Sequence, residues 1–151
     1  MPDSPQIIDL QALHRLIEHL PQSDDLTLIV LKGHLLVEER LLDLVGLRLR
    51  ANDNALKDAR LRFAQLIPLA RVASGRDQYP GLWRALERLN SLRNDLAHHL
   101  EPRQVEGLAK AIIDDVGDIA GIRRSDPIST RLRGAVAFLY GALTRFKDPK
   151  P

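Results

Sequence analysis

The chain has 151 residues, enough for one domain with a real core, and 44% hydrophobic against 4% aromatic content makes that core aliphatic. It has no cysteine, which excludes disulfides and thiolate chemistry and counts against a zinc site. Lysine and arginine number 22 against 20 aspartate and glutamate, a formal charge of +2, so bulk charge does not single out a nucleic-acid partner. Local basic groups remain as candidates: Arg48 with Arg50, Arg60 with Arg62, Arg84 with Arg88, and Arg123, Arg124, Arg131 and Arg133 together. Such groups are first of all solvated surface. Met1-Pro2-Asp3-Ser4-Pro5 has no basic region followed by an apolar run, so no secretory signal is expected and the chain is read as cytoplasmic.

Leu10, Leu13, Leu16, Ile17 and Leu20 recur at helical spacing, which predicts a short amphipathic helix over 7–20, ended by Pro21. His14 and His19 on it read as surface residues, having no carboxylate in ligand register. Ser23-Asp24-Asp25 then caps a helix that runs to about Arg50. That helix is apolar nearly all round and belongs at the centre of a bundle. Lys32, His34, Glu38, Glu39, Arg40 and Asp43 interrupt it, so it reads as a buried helix and no membrane span is expected. At about 100° per residue, Glu38 shares a narrow arc with Leu31, Leu35, Leu42, Val45 and Leu49, which points a carboxylate at the core. Gly33 is expected to mark the close approach of another helix.

Ala51-Asn52-Asp53-Asn54 is a predicted turn. Ala59, Leu61, Phe63, Leu66, Ile67 and Leu69 give a helical pattern that Pro68 should kink or restart, ending at Ser74-Gly75. A loop over 77–81 leads into a helix beginning near Leu82 or Trp83. Trp83 lies off its main leucine stripe, as cover for one side of the core or as part of a subunit contact. Pro102 ends that helix and opens the next, whose face is Val105, Leu108, Ala109, Ile112, Ile113, Val116 and Ile119, with Gly121 as its stop. The adjacent Asp114 and Asp115 face different directions, and Asp115 reads as surface. Ser125-Asp126-Pro127 restarts a last helix on Ile128, Leu132, Val136, Leu139 and Leu143, thin-sided through Gly134, Ala135, Ala137, Gly141 and Ala142. The tail, 147–151, is expected to be disordered. With no repeat, strand pattern or linker, the prediction is a single all-α domain over 1–151, a bundle of five or six helices.

The stretch that carries chemistry is Leu89-Asn90-Ser91-Leu92-Arg93-Asn94-Asp95-Leu96-Ala97-His98-His99-Leu100. Leu82, Leu86, Leu89, Leu96 and Leu100 cluster within about 80° of arc and Arg93 falls among them, so a guanidinium also points at the core. Ala97, Asn90, Asn94 and His98 follow around one flank, before the solvent face of Arg84, Arg88, Ser91 and Asp95. His99 points elsewhere. A buried charge is costly alone, so Glu38 and Arg93 are expected to be partners. The alternatives are that Glu38 snorkels at a helix end or pairs with His34.

Arg93-Asn94-Asp95-Leu96-Ala97-His98, late in an amphipathic helix of an all-helical chain, resembles the mark of the HEPN superfamily: Arg, a polar residue after it, then His after four to six intervening residues. The resemblance implies a HEPN-like helical bundle and a metal-independent endoribonuclease, acting as a toxin or defence effector. It also implies a homodimer in which two motifs meet, and an antitoxin or regulatory protein as partner. In HEPN toxins paired with a nucleotidyltransferase antitoxin, a tyrosine two residues after the histidine is the modified site; here Leu100 stands there, so that pairing is not expected.

Residue chemistry agrees with such a reaction. His is suited to proton transfer near neutral pH and a guanidinium to a phosphate. Arg93, Asn94 and His98 are therefore the candidate catalytic residues, with Glu38 and Asn90 in support, and RNA is the candidate substrate. His98 would act as general base on the ribose 2'-hydroxyl or as general acid on the leaving 5'-oxygen, with Arg93 on the phosphorane charge and Asn94 orienting one of them. No cofactor or metal is expected. The competing reading makes Arg93 structural and lets His98 cap its helix. The long apolar helix with a central Glu, the Phe-containing helix ending near Gly and the late helix ending in His also resemble the mannitol operon repressor family, which implies a non-enzymatic transcriptional regulator. A dimeric protein-interaction module is the third reading. No glycine-rich phosphate loop, Ser-His-Asp order or H-E-x-x-H is present.

Overall fold

Three polar side chains set the first helix starts. Asp9 accepts the Ala12 N–H at 3.0 Å, Asp25 the Leu28 N–H at 3.2 Å and Asn52 the Ala55 N–H at 2.7 Å. They open α1 (Leu10–His19), α2 (Leu26–Leu49) and α3 (Asp53–Ala59), followed by α4 (Phe63–Ser74), α5 (Pro80–His98), α6 (Val105–Ala120) and α7 (Ile128–Arg145). The structure, a computed structural model, describes residues 9–101 and 104–148. Among these residues the protein is all-α, with seven helices instead of the five or six expected, and no strand. No helix among them is long and apolar enough to cross a membrane. The expectations for residues before Asp9, for Pro102 and for the tail from Pro149 lie outside the described residues.

α2 is the axis of the fold and contacts every other helix. Ile29, Val30, Val37, Leu41 and Leu44 are fully buried on it. Each such side chain contributes about 1.5–3 kcal/mol over an exposed one. Gly33 lies in this buried stripe against Val136 of α7, the close approach its lack of a side chain suggested. The arc of Leu31, Leu35 and Leu49 is the opposite one and faces solvent, at 37%, 55% and 58% exposure. A helix apolar all round leaves its buried side undecided by periodicity, and the face with the glycine is the one that admits a neighbour.

The extra helix comes from the segment before Pro68. Arg60 turns left-handed at φ 49° and Arg62 is extended, so the break falls there, and α4 continues unbroken past Pro68. α5 begins with Pro80 at its first position, earlier than Leu82, because proline there forfeits only an N–H that would be unpaired anyway. It ends at His98, leaving Leu100 fully exposed instead of in the leucine arc. Trp83 is 1% exposed and donates its Nε1–H to the Arg76 carbonyl at 2.9 Å, which places it in the core and not in a subunit contact. Asp115 is also not surface: its side chain is 9% exposed and takes Arg84 at 3.3 Å and Arg88 at 2.9 Å, tying α5 to α6. α1 buries only Ala12 and is held by Tyr140, whose hydroxyl donates to the Ala12 carbonyl at 2.8 Å, and by Arg15 on Glu39 at 2.6 Å.

Candidate active site

Asn90, Arg93, Asn94 and His98 are spaced three, four and eight apart, so they share one face of α5. That face opens onto a cavity of about 520 Å³ whose other walls are His34 and Glu38 of α2 and the junction of Leu61, Arg62, Phe63 and Ala64. All five residues singled out in the sequence, Arg93, Asn94, His98, Glu38 and Asn90, therefore line one cleft.

His34 forms the closed end. It is 5% exposed, its ring stacks on Phe63 with centroids 4.1 Å apart, and its Nε2 lies 3.1 Å from Asn90 Oδ1. With an oxygen as partner, Nε2 carries the proton and Nδ1 the lone pair. Burial pushes the imidazole below its ordinary pKa, the bond to Asn90 acts the other way, and the Arg93 charge adds to the lowering. His34 is thus a neutral group near pH 7 that fixes the Asn90 amide.

Glu38 is half-buried, and burial raises its carboxyl above the ordinary range while the Arg93 charge pulls it back. The two feel each other without the expected ion pair, since neither Arg93 nor His34 makes a salt bridge with Glu38 among the described residues. Both charges sit on the wall of an open cleft instead of in the core, so water reaches them and direct pairing is not forced. Arg93 is half-buried, and the one hydrogen bond of its side chain among the described residues, to Asn94 Oδ1, is long at 3.4 Å. Asn94, Ala97 and His98 are exposed.

The capping role weighed for His98 belongs to His99. The His99 N–H donates to the Asp95 carbonyl at 3.1 Å, and its ring Nδ1 lies 3.1 Å from the same oxygen. His98 is left facing the cleft.

Compared with known protein families, with curated proteins and with solved structures, the chain matches none. The cleft therefore has to be read from its own chemistry. It presents two guanidinium groups, two imidazoles, one carboxylate and two amides. A second cavity, of about 490 Å³, is lined by Asp43, Asp53, Arg50 and Lys147 among others and has no histidine. No group of three or more His, Asp or Glu suited to a metal occurs among the described residues.

Sequence reasoning missed His34 and Phe63 as site residues, and named Arg62 only with Arg60 as a local basic pair. His34 entered it only as an interruption of an apolar helix and as an alternative partner for Glu38. A usable signal existed: His34 and Glu38 stand four apart and about 40° from one another, on the boundary between the two apolar arcs of α2. For Phe63 no such signal existed, and the basic pair did not tell that Arg62 would reach the cleft, because both positions depend on the break at Arg60.

Proposed function

We propose that the protein is a metal-independent endoribonuclease of HEPN type that cleaves RNA through the ribose 2'-hydroxyl. The observation that carries the reading is the convergence of Arg93, Asn94 and His98 with Arg62 and Glu38 on one cavity of a size that suits a small ligand or a nucleotide. His98 transfers a proton, Arg93 offsets charge on the phosphorane, and Asn94 orients its neighbour Arg93. Since the nucleophile is the substrate's own 2'-oxygen, DNA survives and the products carry a 2',3'-cyclic phosphate and a 5'-hydroxyl.

The test is cleavage of single-stranded RNA in EDTA by wild type beside His98→Ala, with end-group analysis of the products. His98→Ala is expected to lose activity and keep its melting midpoint, because the side chain is exposed and makes no bond that the fold uses. His99→Ala should cleave as wild type does. A requirement for magnesium, equal cutting of DNA, or activity surviving in His98→Ala would overturn the reading.

A homodimer belongs to the same proposal: the flank of α5 that carries Asn94, Ala97 and His98 is exposed and small enough at Ala97 for a second copy to approach. Light scattering at micromolar concentration tests it. A toxin or defence role would place an antitoxin or regulatory protein over the cleft. One observation favours the interaction-module reading instead, the exposed Leu10, Leu13 and Ile17 of α1. Absence of any RNA cleavage would put that reading in front.

A further inference from the structure

We propose that Glu38 is the general base of this reaction and His98 its general acid, so that a single chain holds both proton-transfer groups in one cleft. The inference rests on the ribonuclease reading and departs from the arrangement in which a dimer supplies two copies of the motif histidine. Three observations carry it. Glu38 and His98 line the same cavity of the same chain. The Glu38 carboxylate has no hydrogen bond or ion pair among the described residues, so both oxygens are free to accept a proton. His34, the other titratable group of α2 in the cleft, is committed: its Nε2–H is held by Asn90 and its ring lies flat on Phe63. His34 therefore positions Asn90, and since the histidine is only 5% exposed the accessible exchangeable groups of the cleft are Glu38 and His98.

The groups facing Glu38 are His34 on its own helix, Asn90, Arg93, Asn94 and His98 on α5, and Arg62 from the junction. Burial raises the carboxyl above its ordinary range, which strengthens it as a base, and the Arg93 charge acts the other way. In the reaction Glu38 takes the proton of the 2'-hydroxyl and the 2'-oxygen bonds to phosphorus. The bond from phosphorus to the 5'-oxygen breaks as His98 hands that oxygen its proton. Arg93 and Arg62 offset the charge on the non-bridging oxygens. Glu38 ends as the acid and His98 as neutral imidazole, and exchange with water restores both. A dimer, on this account, carries two complete and separate sites.

The test is kcat/KM for a mixed-sequence oligoribonucleotide in EDTA across pH 4–9 for wild type, Glu38→Gln, Glu38→Asp and His98→Ala. Wild type is expected to lose rate along an acidic limb that belongs to Glu38. Glu38→Gln should lose about 10²–10⁴-fold and its acidic limb, with Glu38→Asp recovering part of the rate and the limb. Glu38→Gln chains coexpressed with His98→Ala chains should stay inactive, because neither chain is complete. Glu38→Gln with wild-type rate and acidic limb, while His98→Ala is dead, would overturn the base and leave the ribonuclease reading standing. Recovery on coexpression would show that the pair acts between chains and overturn the single-chain site. A folded wild type that cleaves no RNA would overturn both readings together.

Discussion

Glu38 is a carboxylate the fold would rather keep neutral. Its folded pKa lies above the unfolded value near 4.5 because burial outweighs the Arg93 charge. Above pH 4.5 the unfolded chain gives up a proton that folded Glu38 retains, so stability falls as pH rises through that window. Glu38→Gln is therefore expected to be more stable than wild type in denaturant melts at pH 7, the gain disappearing below pH 4.5. A less stable variant at pH 7 would contradict it. His34 carries the opposite sign. Its folded pKa is depressed from 6.5, so below that pH the unfolded chain binds a proton the buried ring refuses, and stability falls as pH falls. His34→Gln should show a shallower loss between pH 7 and pH 5 than wild type does. At this scale the α5 face was readable, since i, i+3, i+4 and i+8 spacing alone groups Asn90, Arg93, Asn94 and His98. The burial of Arg93 was misjudged because an arc cannot distinguish core from cleft wall.

Helices join through backbone as well as side chains. A Cβ at Gly81 would collide with the Asp115 carbonyl oxygen of α6, so the first turn of α5 lies directly on its neighbour. Gly81→Ala should cost about 1–3 kcal/mol, as overpacking does, read as a lowered chemical-denaturation midpoint. Cleavage by the folded fraction should change little, since the cleft lies on the later turns of α5. α1 is loosely held beside α2. Its apolar stripe faces solvent, and its amides should exchange with deuterium faster than those of α2. Helix existence was readable from periodicity and caps. α3 was not, because seven residues with no buried side chain leave no apolar pattern to follow.

For the molecule as a whole, α2 supplies both the core and one wall of the cleft, with a single helix apolar on two sides and His34 and Glu38 along one seam between them. That explains why the fold class followed from composition and periodicity while the outward face of α2 did not. The cleft itself makes a quantitative demand on its ligand. Two cations line it, Arg62 and Arg93. If they take two phosphates of a single strand, counterion release sets the logarithmic salt slope of binding at about −1.4, so affinity for a short oligoribonucleotide should drop about sevenfold from 50 to 200 mM salt. Such a shallow dependence means that a short RNA stays bound at ionic strengths that strip RNA from proteins relying on broad basic surfaces. Longer strands, reaching the arginines outside the cleft, should show a steeper one.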